Sequence, residues 1–148
     1  MKKDTHRLAP VVDIARQREQ KAASELARAR QFCDKVKMQV EQMHHYRDEY
    51  KTQSLIGQTH SMATMRDTQL FLSRLNDTIT ALESQHGQAV KRADALLQEW
   101  HKRRAWMQSL ENVVDRQVSE FEKKRDAREQ KQLDELAGLY AARAHLGD

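Results

Sequence analysis

Fifteen positions in the second half of this chain step by threes and fours without a slip. They are Leu72, Leu75, Ile79, Leu82, His86, Ala89, Ala93, Leu96, Trp100, Arg103, Met107, Leu110, Val114, Gln117 and Phe121. Twelve of the fifteen are apolar, and only an α-helix brings that spacing onto a single narrow face. At 1.5 Å per residue the run covers about 74 Å, more than twice the width of a small domain. A stripe of that length must be covered by something equally long. The rest of the chain offers little besides helix: of 148 residues, four are Gly and one is Pro. Sandwiches and barrels need turn residues at regular short intervals, and nucleotide-binding α/β folds need glycine loops, so both are excluded.

The first half supplies the partner. Pro10 is tolerated at a helix start. From there apolar or small residues fall at Val11 and Ala15, then at Ala22, Leu26, Ala29, Cys33, Val36, Val40 and Met43, with the run ending at Tyr50. Arg18 falls on this seam, followed by a 4-4 stutter. Between Lys51 and Arg66 the chain carries no Lys, Arg, Asp or Glu, is rich in Ser, Thr and Gln, and contains Gly57, which predicts a loop. Two stripes joined by one loop fold back on each other. The expected fold is all-α: a long antiparallel two-helix coiled coil, an α-hairpin, with the second helix longer and overhanging. Expected bounds are a helix over about 8–52, a loop over about 53–63, a helix over about 64–140 and a flexible tail at 141–148, all within one coiled-coil domain over 1–148. With the bend near Thr59, facing residue numbers sum to about 118, within about four. That register sets Met43 against Leu75, Val40 against Ile79, Val36 against Leu82 and Val11 against Met107.

Sites for chemistry are hard to find. A single cysteine, Cys33, excludes an internal disulfide and a multi-cysteine zinc site. Glu41-x-x-His44 and Glu83-x-x-His86 match half of a di-metal carboxylate pattern, but the other half needs two further helices. In the expected register His44 stands opposite Arg74, roughly 14 Å along the axis from Glu83, so the two motifs are not expected to share an ion. Cys33 and His86 fall in one seam layer, which reads as a polar layer fixing register. No catalytic residue, cofactor or metal site is expected, and the chain is read as non-enzymatic.

The net charge of +4 lies entirely in the first 60 residues, which hold 12 Lys or Arg against 8 Asp or Glu. Acids interleave throughout, as on a solvated helix face. A DNA-reading basic helix would be free of seam positions, whereas Ala22, Leu26, Ala29 and Cys33 occupy them here. Nothing in the sequence is apolar enough to span a bilayer, and no secretory signal follows the N-terminus. Trp106 lies one position before the seam residue Met107 and reads equally as a flanking seal or an exposed contact.

Several short stretches, in order and spacing, resemble the flagellar export proteins of the FliJ family. They are Tyr46-Arg47-Asp48-Glu49-Tyr50, Phe71-Leu72-Ser73-Arg74-Leu75 with Ile79, Trp100 followed by His101-Lys102-Arg103-Arg104, Leu110 with Asp115-Arg116-Gln117, and Gln130-Lys131-Gln132-Leu133-Asp134-Glu135-Leu136-Ala137. The resemblance implies a two-helix coiled coil similar to the central stalk of rotary ATPases. Its implied partners are the export ATPase hexamer and its regulator, the cytoplasmic domain of the export gate, and export chaperones that it escorts. No nucleic acid and no direct membrane insertion are implied. The expected location is cytoplasmic, peripheral to the inner membrane at the flagellar base, with the chain monomeric when free. Phe71 and Leu75 match the aromatic–leucine pair that the family presents to the gate; Phe71 reads equally as a seal near the loop. The overhang and the basic N-terminal region, near Arg7–Arg30 and Arg116–Glu135, are expected to meet the ATPase. Arg116, Gln117, Phe121, Arg125 and Lys131 are the named contacts, and a solvated helix is the plain alternative for 122–132. A stalk protein of an injectisome, or a nucleic-acid-binding coiled-coil regulator, are the other functional readings.

Overall fold

A computed structural model describes residues 2–56 and 61–147, with side chains described for 7–55 and 61–147. Gly57 to His60, the middle of the expected loop, lie outside the described residues. Helix α1 spans Lys2–Ile56 and helix α2 spans Met62–Leu146, 55 and 85 residues respectively. The fold is an all-α antiparallel helical hairpin whose second helix is the longer, and no strand occurs among the described residues.

Both helices run further than the expected bounds, for local reasons. At the end of α1, Thr52 Oγ1 donates to the Asp48 carbonyl at 2.9 Å and Ser54 Oγ donates to the Lys51 carbonyl at 2.9 Å. These hydroxyls satisfy themselves on the preceding turn, so a polar stretch that reads as loop stays helical. At the start of α2, Ser61 Oγ accepts the Thr64 backbone N–H at 3.3 Å, and Met65 N–H donates to the Ser61 carbonyl at 3.1 Å. Ser61 is thus an N-cap, and the helix begins at Met62. At the other end α2 continues through Arg143 to Leu146. Pro10 lies inside α1 rather than at its start. Lacking an N–H, it leaves the His6 carbonyl without its intrahelical donor.

The hairpin divides into two compact units, one of Gln20–Lys102 and one of Met1–Glu19 with Arg103–Asp148. In the first, Ala22, Leu26, Cys33, Val36, Leu75, Ile79, Ala89 and Ala93 are buried, while Leu72, Leu82, His86, Leu96 and Trp100 are half-buried. Val36 is the most enclosed side chain, 2% exposed. Cys33 packs in one cluster with Ala89 and Ala93, with Ala29 against it, and the half-buried His86 stays on the same seam. In the second unit Val12 and Ala15 are buried, facing the half-buried Met107, Leu110, Val114 and Gln117.

Two features of the seam differ from expectation. Val12, not Val11, is the inward residue: Val12 is 7% exposed and Val11 is 40%. Glu19 is half-buried while Arg18 is exposed. Positions 12, 15, 19 and 22 continue the three–four alternation, so the stutter at Arg18 vanishes. The register also departs from the simple count. Tyr50 meets Phe71, Cys33 meets Ala89, and Arg16 reaches Glu111. The first two pairs fall within about four of the simple count, the margin expected, and only the polar pair lies well outside it. Helical side chains tilt toward their own N-terminus, and in an antiparallel pair the two tilts add rather than cancel. Long side chains therefore meet partners about a turn away from the residue directly opposite.

Replacing Ile79, 3% exposed, by Asp buries a carboxylate without a partner. Circular dichroism melts should show a loss on the order of 3–5 kcal/mol. Gly87 lies in the interior of α2, and a Cβ built on it meets nothing within 4 Å. Gly87→Ala should raise the melting free energy by about 0.5–1 kcal/mol, read on the same melts.

Candidate partner-binding surfaces

In the unit of Gln20–Lys102, an aromatic cluster crosses from α1 to α2 close to the turn. Tyr46 and Tyr50 are four apart on α1 and so share a face. The Phe71 ring lies 6.3 Å from Tyr46 in an edge-on arrangement and 4.5 Å from Tyr50, tilted by 46°. Such pairs contribute about 0.5–1.5 kcal/mol beyond their area. Phe71 is half-buried, with the remaining part of its ring open to solvent. Leu75, the second residue of the expected gate-facing pair, is 8% exposed and sits in the seam. The two residues are neighbours on α2, but Leu75 offers almost no surface of its own. The sequence pattern singled out Tyr46 and Tyr50 without assigning them this packing role. It also passed over Leu55, Met62, Met65 and Leu70, which are 52–78% exposed around the turn.

Two residues before Tyr46, His44 Nε2 and Glu83 Oε1 share a hydrogen bond at 2.9 Å. This corrects the roughly 14 Å axial separation expected from the simple count: register and side-chain tilt together close the gap. The contact does not make a metal centre, since no group of three or more His, Cys, Asp or Glu converges among the described residues. Further along, a shallow groove of about 600 Å³ lies over Ala29 and Ala89, with Arg28 and Arg92 among its walls and Phe32 46% exposed beside it. Its floor is made of the small seam residues, whose short side chains leave the surface low.

In the unit of Met1–Glu19 with Arg103–Asp148, Arg16 Nε donates to Glu111 Oε1 at 2.9 Å. Both side chains are substantially exposed, so the pair adds at most about 1 kcal/mol. Gln117 is half-buried at the end of the covered seam, and its Oε1 is enclosed without a hydrogen-bond partner. Beyond Gln117 every described residue of α2 is exposed, although the segment stays helical. Arg116, Phe121, Arg125 and Lys131 all lie open, Phe121 at 36%. The seam therefore ends where α1 runs out, and α2 carries on uncovered.

No described helix is long and apolar enough to cross a membrane. The family described as "Flagellar FliJ protein" matches residues 3–146. A flagellar FliJ protein of Salmonella typhi is 25% identical over 138 residues, covering 92% of this chain and 94% of that protein. No solved structure matches the chain. A two-helix hairpin with an uncovered second helix, matched by the family over nearly its whole length, belongs to the flagellar FliJ family.

Proposed function

We propose that this chain is a non-enzymatic part of the flagellar type III export apparatus, a stalk-like coiled coil acting at the cytoplasmic face of the inner membrane. The uncovered end of α2 binds the export ATPase hexamer, the turn end binds the cytoplasmic domain of the export gate, and the chain escorts export chaperones. One observation supports this above the rest: past Gln117 the helix persists with every described side chain exposed, including Val118, Phe121, Leu133 and Leu136. A helix that keeps apolar residues uncovered after its intramolecular partner has ended has surface to give to another protein.

The ATPase contact is assigned to Arg116, Gln117, Phe121, Arg125 and Lys131, together with the N-terminal part of α1. Gln117 carries an enclosed, unpaired carbonyl oxygen that a partner donor can satisfy. At the turn, Phe71 is the contact residue for the gate and Leu75 supports it from the seam. The exposed Leu55, Met62, Met65 and Leu70 widen that apolar surface.

Truncation after Asp115 leaves the whole unit of Gln20–Lys102 intact. The truncated chain should remain helical and melt cooperatively, yet lose stimulation of the export ATPase in a hydrolysis assay. Full stimulation by the truncated chain would move the contact to the turn end. For the gate, Phe71→Ala should weaken binding of the gate's cytoplasmic domain by about tenfold in calorimetric titration, the effect of losing a central aromatic anchor. Unchanged affinity with a lowered melting temperature would make Phe71 only a seal over Tyr46 and Tyr50.

A further inference from the structure

The uncovered part of α2 has an internal symmetry that the functional reading above does not use. Val118, Phe121, Arg125, Glu129, Leu133 and Leu136 step by threes and fours, so they occupy one face roughly 120° wide. All six are exposed, the four apolar ones between 36% and 60%. Along the helix the face reads apolar, apolar, cation, anion, apolar, apolar. Ala127 is its midpoint: Val118 and Leu136 are equally far from it, as are Phe121 and Leu133, and as are Arg125 and Glu129.

Such a face is complementary to itself when a second copy is laid on it antiparallel. The two-fold axis through Ala127 sets Val118 on Leu136 and Phe121 on Leu133. It also sets Arg125 on Glu129 of the second copy, and every contact occurs twice because the interface is isologous. Within its own chain neither Arg125 nor Glu129 makes an ion pair among the described residues. Arg followed by Glu four residues later is the weaker order for an intrahelical pair. The antiparallel arrangement gives both charges a better partner.

We propose that this segment pairs antiparallel with the same segment of a second copy of the chain, forming a reversible homodimer in place of the monomer expected from the sequence. The overlap from Val118 to Leu136 is about 28 Å long, short for a coiled coil, so association is weak. Phe121 and Arg125 are also assigned to the ATPase, so the dimer would withhold that surface. This consequence rests on the proposed function, whereas self-association itself does not.

The test is sedimentation equilibrium of the full chain over roughly 5–500 µM. The weight-average mass should climb from 17.3 kDa toward twice that value. Arg125→Glu sets Glu against Glu129 of the second copy, and Glu129→Arg sets Arg against Arg125; each should hold the mass at the monomer value. The doubly exchanged chain, R125E with E129R, should recover the wild-type concentration dependence, and Leu136→Asp should not dimerise. Thermal melts of each variant check folding, because all these positions lie beyond the covered seam. A wild-type mass constant at 17.3 kDa throughout overturns the proposal. A mass rise insensitive to R125E and L136D, or a double exchange no better than the single ones, overturns it equally.

Discussion

Everything in this molecule depends on a hydrophobic seam little more than one side chain wide. Two helices cannot enclose a core, so each can bury only the residues that point at the other. In the unit of Gln20–Lys102 that contact is made mostly by small and β-branched groups, Ala22, Cys33, Val36, Ile79, Ala89 and Ala93, together with Leu26 and Leu75, among the described residues. Short side chains let the helix axes approach and replace bulk with close packing, and their dispersion contacts accumulate along the length of the hairpin. The consequence is a stability spread thinly over many layers, with no single deep centre. A charge placed in any one layer is then felt cooperatively, while charges on the outer faces contribute little.

The polar residues of the seam are placed consistently with that limit. His86, Arg103 and Gln117 remain half-buried, and no polar or charged residue is buried outright among the described ones. A narrow interface lets long side chains lead their polar ends out to solvent, so register can be marked without the full cost of burying a charge. Gln117 is the exception that carries information. Its enclosed oxygen has no partner, and it lies where α1 ends and the covered seam stops.

Exposed apolar side chains gather in two regions, each explained by its own unit. Near the turn, Tyr46, Tyr50 and Phe71 close the seam with rings, and Leu55, Met62, Met65 and Leu70 stay open around them. On the far part of α2, Val118, Phe121, Leu133, Leu136, Leu139 and Tyr140 have no α1 to lie against. Membership of the flagellar FliJ family gives these surfaces a context in protein export. Their chemistry differs usefully. The turn region gathers aromatic rings and lacks Lys, Arg, Asp and Glu only between Lys51 and Arg66, whereas the far helix intersperses apolar residues with charges throughout.

Much of this was determined by the sequence alone, because hydrophobic periodicity is a property of one helix. Fourteen of the fifteen seam positions, those from Leu72 to Gln117, avoid full exposure. The simple count runs the first stripe out near Met107 and starts the overhang at roughly Leu110, whereas coverage lasts through Gln117. Helix ends were less legible. The Thr52 and Ser54 back-bonds and the Ser61 cap are local choices that the same residues could equally make in a loop. The sequence reading puts Val11 on the seam, and the structure turns Val12 inward instead, because positions 12, 15, 19 and 22 keep the alternation with Glu19 on the seam. What only the tertiary structure decided is register. Sliding one heptad stripe along another preserves every periodicity, so spacing cannot say that Cys33 meets Ala89, that Tyr50 meets Phe71, or that His44 reaches Glu83. Those meetings depend on how closely the two backbones approach and on side chains tilting toward opposite ends of the pair, which is geometry that exists only once both helices are packed.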